Sequence, residues 1–214
     1  MATINRHKIS WLIFWSAIIG LSLYFYATTF IDYAGGYIPE NFKLGFWESK
    51  IWFICHIAGA SFALLLGPLQ FWKSFRTKYI KWHRSAGKLF IIGSLLAAVS
   101  AFRLNLMYDC KPCRVSLGIL SVIWLATTAA AWLAIKKRNI KTHQQMMIRS
   151  YTAALAFVFI RIFSITGYAK VFPFIDTTME RRTTAEWLCW VIPFIVIEVY
   201  MMWKPQFATI KQKS

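Results

Sequence analysis

Charged residues are scarce in this sequence. Asp, Glu, Lys and Arg make up 15% of the 214 residues, whereas a soluble globular domain carries about a quarter. Hydrophobic residues make up 58%, with 11 Trp and 18 Phe. A soluble domain of this size could not bury so much apolar surface, so the surplus has to face lipid. The composition therefore predicts one integral membrane domain that covers residues 1–214.

Several patterns that indicate other classes of protein are missing. The short alternating segments of a membrane β-barrel do not occur, and there is no phosphate-binding loop, metalloprotease motif or serine-nucleophile elbow. The first apolar stretch lacks a small-residue cleavage site followed by a soluble domain, so we expect a retained helix rather than a signal peptide. ATP-driven and conventional hydrolytic chemistry are therefore not expected.

Six apolar stretches have the length of about twenty residues that an α-helix needs to cross a hydrocarbon core of ~30 Å. They predict an all-α fold, an integral membrane bundle of six transmembrane helices joined by short connections. The predicted spans are residues 10–32, 51–72, 87–106, 115–135, 146–167 and 185–203.

Acidic residues are few, and the distribution of the basic residues orients the bundle. The N-terminus, residues 73–88, residues 136–149 and the C-terminal tail hold sixteen of the 25 basic residues and no Asp or Glu. Because cytoplasmic loops carry the excess of Lys and Arg, both termini are predicted to lie in the cytoplasm. The net charge of +17 then borders anionic lipid headgroups. The basic segments lack a nucleic-acid-binding pattern, so no nucleic acid partner is expected.

The second predicted span carries a stripe of small residues with a polar group at each end. His56, Ala60, Ala63, Gly67 and Gln70 are spaced as one face of a helix. Small residues let helices approach closely in a membrane, and ionisable groups there are costly and usually functional. The stripe predicts a helix packed around a polar site. A structural His56 that hydrogen-bonds a neighbouring helix is the alternative.

Two more histidines occupy matching positions on the predicted cytoplasmic side. His83 precedes the third span and His143 the fifth, each in a basic loop. They are candidates for binding one haem b or a metal ion, with Glu198 as a third metal ligand. Arg84, beside His83, is a candidate for the same site, and the alternative is that it anchors the helix at the membrane interface. The predicted inner layer comprises Gln70, His83, His143, Arg149 and Glu198.

A second polar layer is predicted near the outer surface. It comprises His56, Arg103, Arg161 and Glu186. Two arginines here face one glutamate, so a bound anion would supply the missing negative charge. A haem propionate, a carboxylate substrate or an ionised quinol headgroup would serve, and a buried ion-pair network with water is the structural alternative.

The outer loop between the third and fourth spans contains the motif Cys110-Lys-Pro-Cys113. In an oxidising compartment this spacing indicates a local disulfide or a redox-active pair. Cys55 and Cys189 also lie near the outer ends of their helices, and the sequence does not choose among the three pairings of four cysteines.

The combined pattern resembles that of a bacterial membrane-protein family, the domain of unknown function DUF2306. The resemblance covers about Ile51 to Arg161, implies a polytopic helical fold and brings no established activity. More distantly, histidines on several helices resemble haem-b membrane cytochromes, in which imidazoles ligate iron and arginines hold the propionates. The residues that carry the family pattern are His56, Gly67-Pro-Leu-Gln70, His83-Arg84-x-x-Gly87, His143, Met147-Ile-Arg149 and Arg161.

Three hypotheses for function follow from these residues. The first is a redox-type membrane protein that binds haem b, a metal ion or quinone between helices through its histidines and arginines. The second is a quinone-coupled thiol oxidoreductase that uses the outer CxxC motif. The third is a non-enzymatic small transporter, or an accessory subunit with a membrane protein partner or a second copy of itself. The lipid bilayer is a partner in each case.

Overall fold

A computed structural model describes residues 6–34 and 46–203 and contains helices but no strand within those ranges. Short turns connect consecutive helices from α2 onward. The helices are α1 (Arg6–Ala34), α2 (Phe46–Phe71), α3 (Lys73–Lys78), α4 (Ile80–Asn105), α5 (Lys111–Lys136), α6 (Ile140–Thr166), α7 (Tyr168–Val171) and α8 (Thr178–Glu198), which runs on into a π-helical turn, Val199–Trp203.

Five of these helices are long and apolar enough to cross a membrane, namely α2, α4, α5, α6 and α8. They bear out the prediction of an all-α protein with several membrane spans. The predicted first span falls in α1, whose described apolar part, Leu12–Thr28, is shorter than the other five. The count of six spans and the cytoplasmic placement of both termini therefore stay predictions.

The helices begin earlier than the hydropathy pattern predicts. The third, fifth and sixth predicted spans begin at residues 87, 146 and 185, whereas α4, α6 and α8 begin at Ile80, Ile140 and Thr178. Hydropathy detects only the apolar part of a helix, and these first turns are basic or polar. His83 and His143, which the sequence placed in loops, therefore lie in helices.

The tightest crossing in the bundle lies between α2 and α4. A Cβ atom added at Gly59 would collide with the backbone of Gly93 and Ala97, and one added at Gly93 would collide with Gly59 and Phe62. Small residues at such a crossing let two helix backbones touch, which stabilises helix pairs where no hydrophobic effect is available. This contact fixes α2, with the polar ends of its stripe, against α4.

The small-residue stripe of α2 packs as the sequence predicts. Ala63 is fully buried, and a Cβ atom at Gly67 would overlap the ring of Tyr151 on α6. Tyr151 also contacts the rings of Phe71 and Phe90. The end of α2 nearest Gln70 is therefore tightly packed against both α4 and α6, whereas the end nearest His56 packs closely against α4 and borders a cavity on another side.

Candidate outer cavity

A cavity of about 770 Å³ lies between α2, α4, α5, α6 and α8, in the half of the bundle predicted to face outward. Most of its wall is apolar, built from side chains such as Leu64, Leu120 and Phe157. Its volume falls in the range typical of sites for small molecules and cofactors, about 300 to 1,000 Å³. The polar residues of the wall include His56, Asn105, Tyr108, Ser121, Arg161, Ser164, Tyr168, Arg182 and Glu186.

His56 is held in the wall of this cavity by a bond to a neighbouring helix. Its Nδ1 lies 3.0 Å from the backbone oxygen of Ala97 on α4. Because a carbonyl oxygen only accepts, Nδ1 carries the proton and the neutral ring has its lone pair on Nε2. The ring also meets the indole of Trp124 edge-on, with centroids 6.5 Å apart. An anchored Nδ1 is the arrangement that orients histidines for binding through Nε2.

The second arginine of the cavity, Arg182, lies among acidic and aromatic partners near the start of α8. Its Nη2 lies 3.4 Å from the Asp109 carboxylate and donates a short hydrogen bond to the Tyr108 hydroxyl. The guanidinium also stacks over the Tyr108 ring at 4.7 Å. Tyr108 in turn donates to the buried Glu186 carboxylate over 3.4 Å. These residues form one connected group, which we call the Arg182 cluster: Tyr108, Asp109, Arg182 and Glu186.

Two phenols at the outer end of the cavity lie outside the membrane-spanning helices. Burial and the nearby Glu186 carboxylate raise the pKa of Tyr108, and the same two causes raise the pKa of Tyr168. A free phenol, with a pKa near 10, is already protonated at physiological pH. Both of these phenols therefore stay protonated as well. Each remains a hydrogen-bond donor toward the cavity or its carboxylate.

Cys110 and Cys113 are joined in a disulfide at the start of α5. Both residues are fully buried, and their sulfur atoms lie 3.8 and 3.7 Å from the Thr183 hydroxyl on α8. The neighbouring loop is held as well, because Arg114 Nε donates to the Tyr108 carbonyl over 2.6 Å. The bonds from Arg114 and Arg182 hold the loop that carries Tyr108 and Asp109, and the disulfide closes a ring of four residues directly after it. Cys55 and Cys189 are free thiols.

His83 and His143, at the end of the bundle opposite the cavity, lie close enough to interact electrostatically. His143 Nδ1 lies 2.9 Å from the backbone oxygen of Ala131 on α5, which is the same kind of anchor that holds His56. His83 Nδ1 is buried without a hydrogen-bond partner, and so is Nε2 of Gln70. A methyl group at Gly87, one turn after His83, would lie 3.1 Å from the Gln70 Oε1. None of these four polar or small residues lines the outer cavity.

Glu198 does not join the two histidines as a metal ligand. Its carboxylate binds Arg149 in a two-point ion pair, with Nε and Nη2 at 2.6 and 2.7 Å. Across the described ranges, no group of three or more His, Cys, Asp or Glu residues is placed to hold a metal ion. The predicted site of His83, His143 and Glu198 is therefore not assembled, because the carboxylate has a better partner in Arg149.

A family model described as predicted membrane protein DUF2306 matches residues 53–201, more than half of the chain. The chain belongs to the DUF2306 family. This membership agrees with the resemblance seen in the sequence and with the apolar helices of the structure. It assigns no activity. No curated protein and no solved structure matches the chain, so the proposals below depend on the geometry of this DUF2306 protein alone.

The structure divides the residues of the DUF2306 pattern between two places. His56 and Arg161 lie in the wall of the outer cavity, whereas His83, His143 and Gln70 lie at the other end of the bundle. Arg84 is exposed on α4, and Arg149 is paired with Glu198.

Arg103 does not belong to the outer site that the sequence predicted. It lies in the last turn of α4 and is absent from the wall of the cavity. Its position near the end of the helix does not tell which face of the helix the side chain occupies. Arg182 supplies the second arginine instead. Arg182 precedes residue 185, where the last predicted span begins, and so lies outside the predicted spans.

Proposed function

We propose that the outer cavity of this DUF2306 protein binds a single haem b and that the protein is a redox-type membrane protein. The observation that carries the proposal is His56, whose anchored ring lines a cavity of about 770 Å³. Apolar walls with a few polar groups are typical of cofactor sites. When bound, haem b supplies one-electron chemistry that no amino acid side chain provides.

The residues present fit haem b as follows. His56 would hold the iron through Nε2, and the Ala97 carbonyl fixes its tautomer and raises its basicity. Trp124 limits the rotation of the ring. Among the described residues that line the cavity, His56 is the one histidine and there is no methionine, so this lining would hold the iron through His56 alone. Arg161 and Arg182 are the candidates for the two haem carboxylates.

The test is an absorption spectrum of the protein purified in mild detergent from cells supplied with a haem precursor. We expect a Soret band in the wild-type protein, loss of that band in His56→Ala, and an unchanged band in His143→Ala. The two variants are matched, because each removes a histidine that hydrogen-bonds a helix carbonyl. A wild-type protein without a Soret band, or a band that survives His56→Ala, would overturn the proposal.

Quinone is the second candidate ligand, and the mixture of polar groups in the cavity favours it. Nε2 of His56 and the Glu186 carboxylate are hydrogen-bond acceptors, as the two hydroxyls of a quinol require. The apolar wall would receive the isoprenoid chain. Solvent extraction of the purified protein followed by chromatography would detect bound quinone at a fixed ratio to protein. A ratio equal to that of an unrelated membrane protein purified in parallel would exclude this candidate.

A thiol oxidoreductase coupled to quinone is supported by the disulfide near the Arg182 cluster. Cys110 and Cys113 are oxidised to a disulfide, and Tyr108 and Asp109 connect their loop to the cavity. Complete burial of both cysteines argues against exchange with a protein partner, since a thiolate has to reach the disulfide. Replacing both cysteines by Ser without loss of activity in cells would remove this alternative.

Topology and partners complete the proposal. We infer six membrane spans with both termini in the cytoplasm of a bacterial cell, supported by the charge asymmetry of the loops. Reporter fusions at each terminus test this inference, and an external N-terminus would contradict it. A small transporter, an accessory subunit or a homo-oligomer remains the non-enzymatic alternative, favoured if a partner copurifies in mild detergent.

A further inference from the structure

The two arginines of the outer cavity differ in their surroundings. Arg182 has the Asp109 carboxylate at 3.4 Å and acts on the Glu186 carboxylate as well. Arg161 contacts the Phe157 ring at 5.2 Å, and no carboxylate of the described residues lies within ion-pairing distance of it. The Asp109 and Glu186 carboxylates therefore serve Arg182, and Arg161 has no acidic partner among the described residues.

The position of Arg161 makes this imbalance significant. It lies five residues before the end of α6, which places its Cα ~7 Å inside the helix end. An arginine inside a membrane span is costly, and such residues usually pair with a partner or mark a ligand site. The neighbouring aromatic ring offsets part of this cost. A negative charge supplied by a ligand would offset the rest.

Two hydroxyl groups line the cavity near the Arg161 guanidinium. Ser164 is one turn further along α6, and Tyr168 follows the end of that helix; both line the same cavity. Tyr168 lies close enough to Arg161 for the two groups to interact electrostatically, and burial raises the pKa of its phenol. The two hydroxyls hydrogen-bond each other, which leaves one hydroxyl proton to donate to a ligand. A cation with a hydroxyl donor beside it matches an oxyanion, because charge-assisted hydrogen bonds to a carboxylate are stronger than neutral ones.

Most of the remaining cavity wall is apolar. Phe157 lies one turn before Arg161 on α6, and Leu120 and Trp124 face the cavity from α5. A ligand with its oxyanion at Arg161 would therefore place an apolar body deeper in the bundle, toward His56. The chemistry is that of an amphipathic carboxylate. A haem propionate and a long-chain fatty acid are two sources of that chemistry.

We infer that Arg161, with Ser164 and Tyr168, is the anion-binding site of the outer cavity and that its ligand is an amphipathic carboxylate. The inference rests on the proposed ligand-binding role of the cavity. It narrows the choice of ligand, because a neutral quinone carries no negative charge to pair with Arg161. Of the two arginines named as candidates for the haem carboxylates, it keeps Arg161 for the ligand and leaves Arg182 within the Arg182 cluster.

The first experiment uses two spin-labelled lipids with the purified protein in phosphatidylcholine nanodiscs. Stearic acid labelled on its chain and the methyl ester of the same molecule differ only in the charge of the headgroup. We expect an immobilised component in the electron paramagnetic resonance spectrum for the acid, and roughly tenfold weaker binding for the ester, the ratio that 1.4 kcal/mol gives. Equal binding of the two probes would overturn the inference.

Three variants assign the effect to one residue. Arg161→Gln should reduce binding of the acid to the level of the ester, whereas Arg161→Lys should retain part of it. Arg103→Gln is the matched control, because Arg103 lies at a similar depth on α4 but outside the cavity. Unchanged binding in Arg161→Gln, or an equal loss in Arg103→Gln, would contradict the assignment. The comparison of acid and ester in the wild-type protein needs no variant to fold.

A haem titration separates this inference from the proposed function. Haem b and its dimethyl ester are added to the protein stripped of ligand, and the Soret band reports binding. If haem b binds at least fivefold more tightly than its ester, both proposals are supported. Equal binding of the two retains the haem proposal and overturns the carboxylate site. Binding of stearate through Arg161 without binding of either haem retains the carboxylate site and overturns the haem proposal.

Discussion

The outer and inner histidines of the bundle are held in the same way but have different surroundings. His56 and His143 each donate from Nδ1 to a backbone carbonyl of a neighbouring helix. His56 lines a cavity, whereas His143 lies beside His83 where α4 and α6 begin and where Gly67 packs under Tyr151. The anchor of a histidine therefore does not identify a ligand site. What identifies a ligand site is a cavity that the Nε2 atom of the histidine can reach.

The largest expected effect comes from adding volume to the packed end. Gly67→Val would force two methyl groups against the Tyr151 ring, and overpacking of this kind costs about 1–3 kcal/mol. We expect a clear fall in the midpoint of thermal unfolding, measured in detergent by size-exclusion chromatography with fluorescence detection.

Two control substitutions test whether the ends of the bundle really differ. Gly20→Val adds the same volume at a position with nothing within 4 Å, and Ala60→Phe adds volume on the cavity wall. Both should unfold near the wild-type temperature, and Ala60→Phe should also lose the cavity ligand. A fall as large as that of Gly67→Val in Ala60→Phe would show that the outer half is as tightly packed as the inner half.

The next effect concerns the ion pair at the inner end. Arg149 and Glu198 are 15% and 38% exposed, so water screens the pair in part, and removing one partner should cost about 1–2 kcal/mol. Arg149→Met should lower the midpoint of thermal unfolding, and Arg149→Met with Glu198→Leu should restore most of it. If the double variant is no more stable than Arg149→Met, the unpaired Glu198 carboxylate is not the cause of the loss of stability, and the prediction is wrong.

A smaller effect distinguishes the two anchored histidines. His143→Phe removes one hydrogen bond to a backbone carbonyl, which costs about 1 kcal/mol, and leaves the outer cavity unchanged. His56→Phe removes the same kind of bond and in addition the proposed ligand to iron. Thermal unfolding with and without added haem b separates these contributions. Stabilisation by haem in His56→Phe equal to that in His143→Phe would contradict the difference between the two sites.

The smallest effect is a pH dependence at the outer end. Burial and Glu186 raise the pKa of Tyr108, so the phenol binds its proton more tightly in the folded protein than in the unfolded chain. Its contribution to stability is fully present below the unfolded pKa of about 10 and is lost as the pH rises above that value. The stability difference between wild type and Tyr108→Phe should therefore shrink between about pH 9 and 11. A constant difference across that range would contradict this linkage.

Much of the fold follows from the sequence because apolar length is a physical requirement for crossing a bilayer. Five of the six predicted spans correspond to helices that are long and apolar enough to cross a membrane. The starts of α4, α6 and α8 were predicted too late in the chain, because hydropathy does not detect their basic and polar first turns. That error moved Arg182 out of the predicted site.

The site was predicted in part, for reasons that particular residues make clear. Spacing placed His56, Arg161 and Glu186 in one layer, and the structure brings them to one cavity. Arg103 shares their depth but not their cavity. Tyr108 gave no signal in the sequence, because a lone tyrosine in a short loop shows neither its burial nor its partners. Glu198 and Arg149 were predicted in one layer, but composition could not show that they bind each other.

The short loop between α4 and α5 has a consequence for how a ligand exchanges. The disulfide at Cys110 and the bond from Arg114 to the Tyr108 carbonyl hold this loop across the outer end of the bundle. A segment held at so many points opens rarely, because opening requires several bonds to break together. We therefore expect a ligand to enter and leave the cavity laterally, from the lipid and between the helices. The concentration that governs occupancy is then the mole fraction of ligand in the membrane, and not its concentration in the surrounding water.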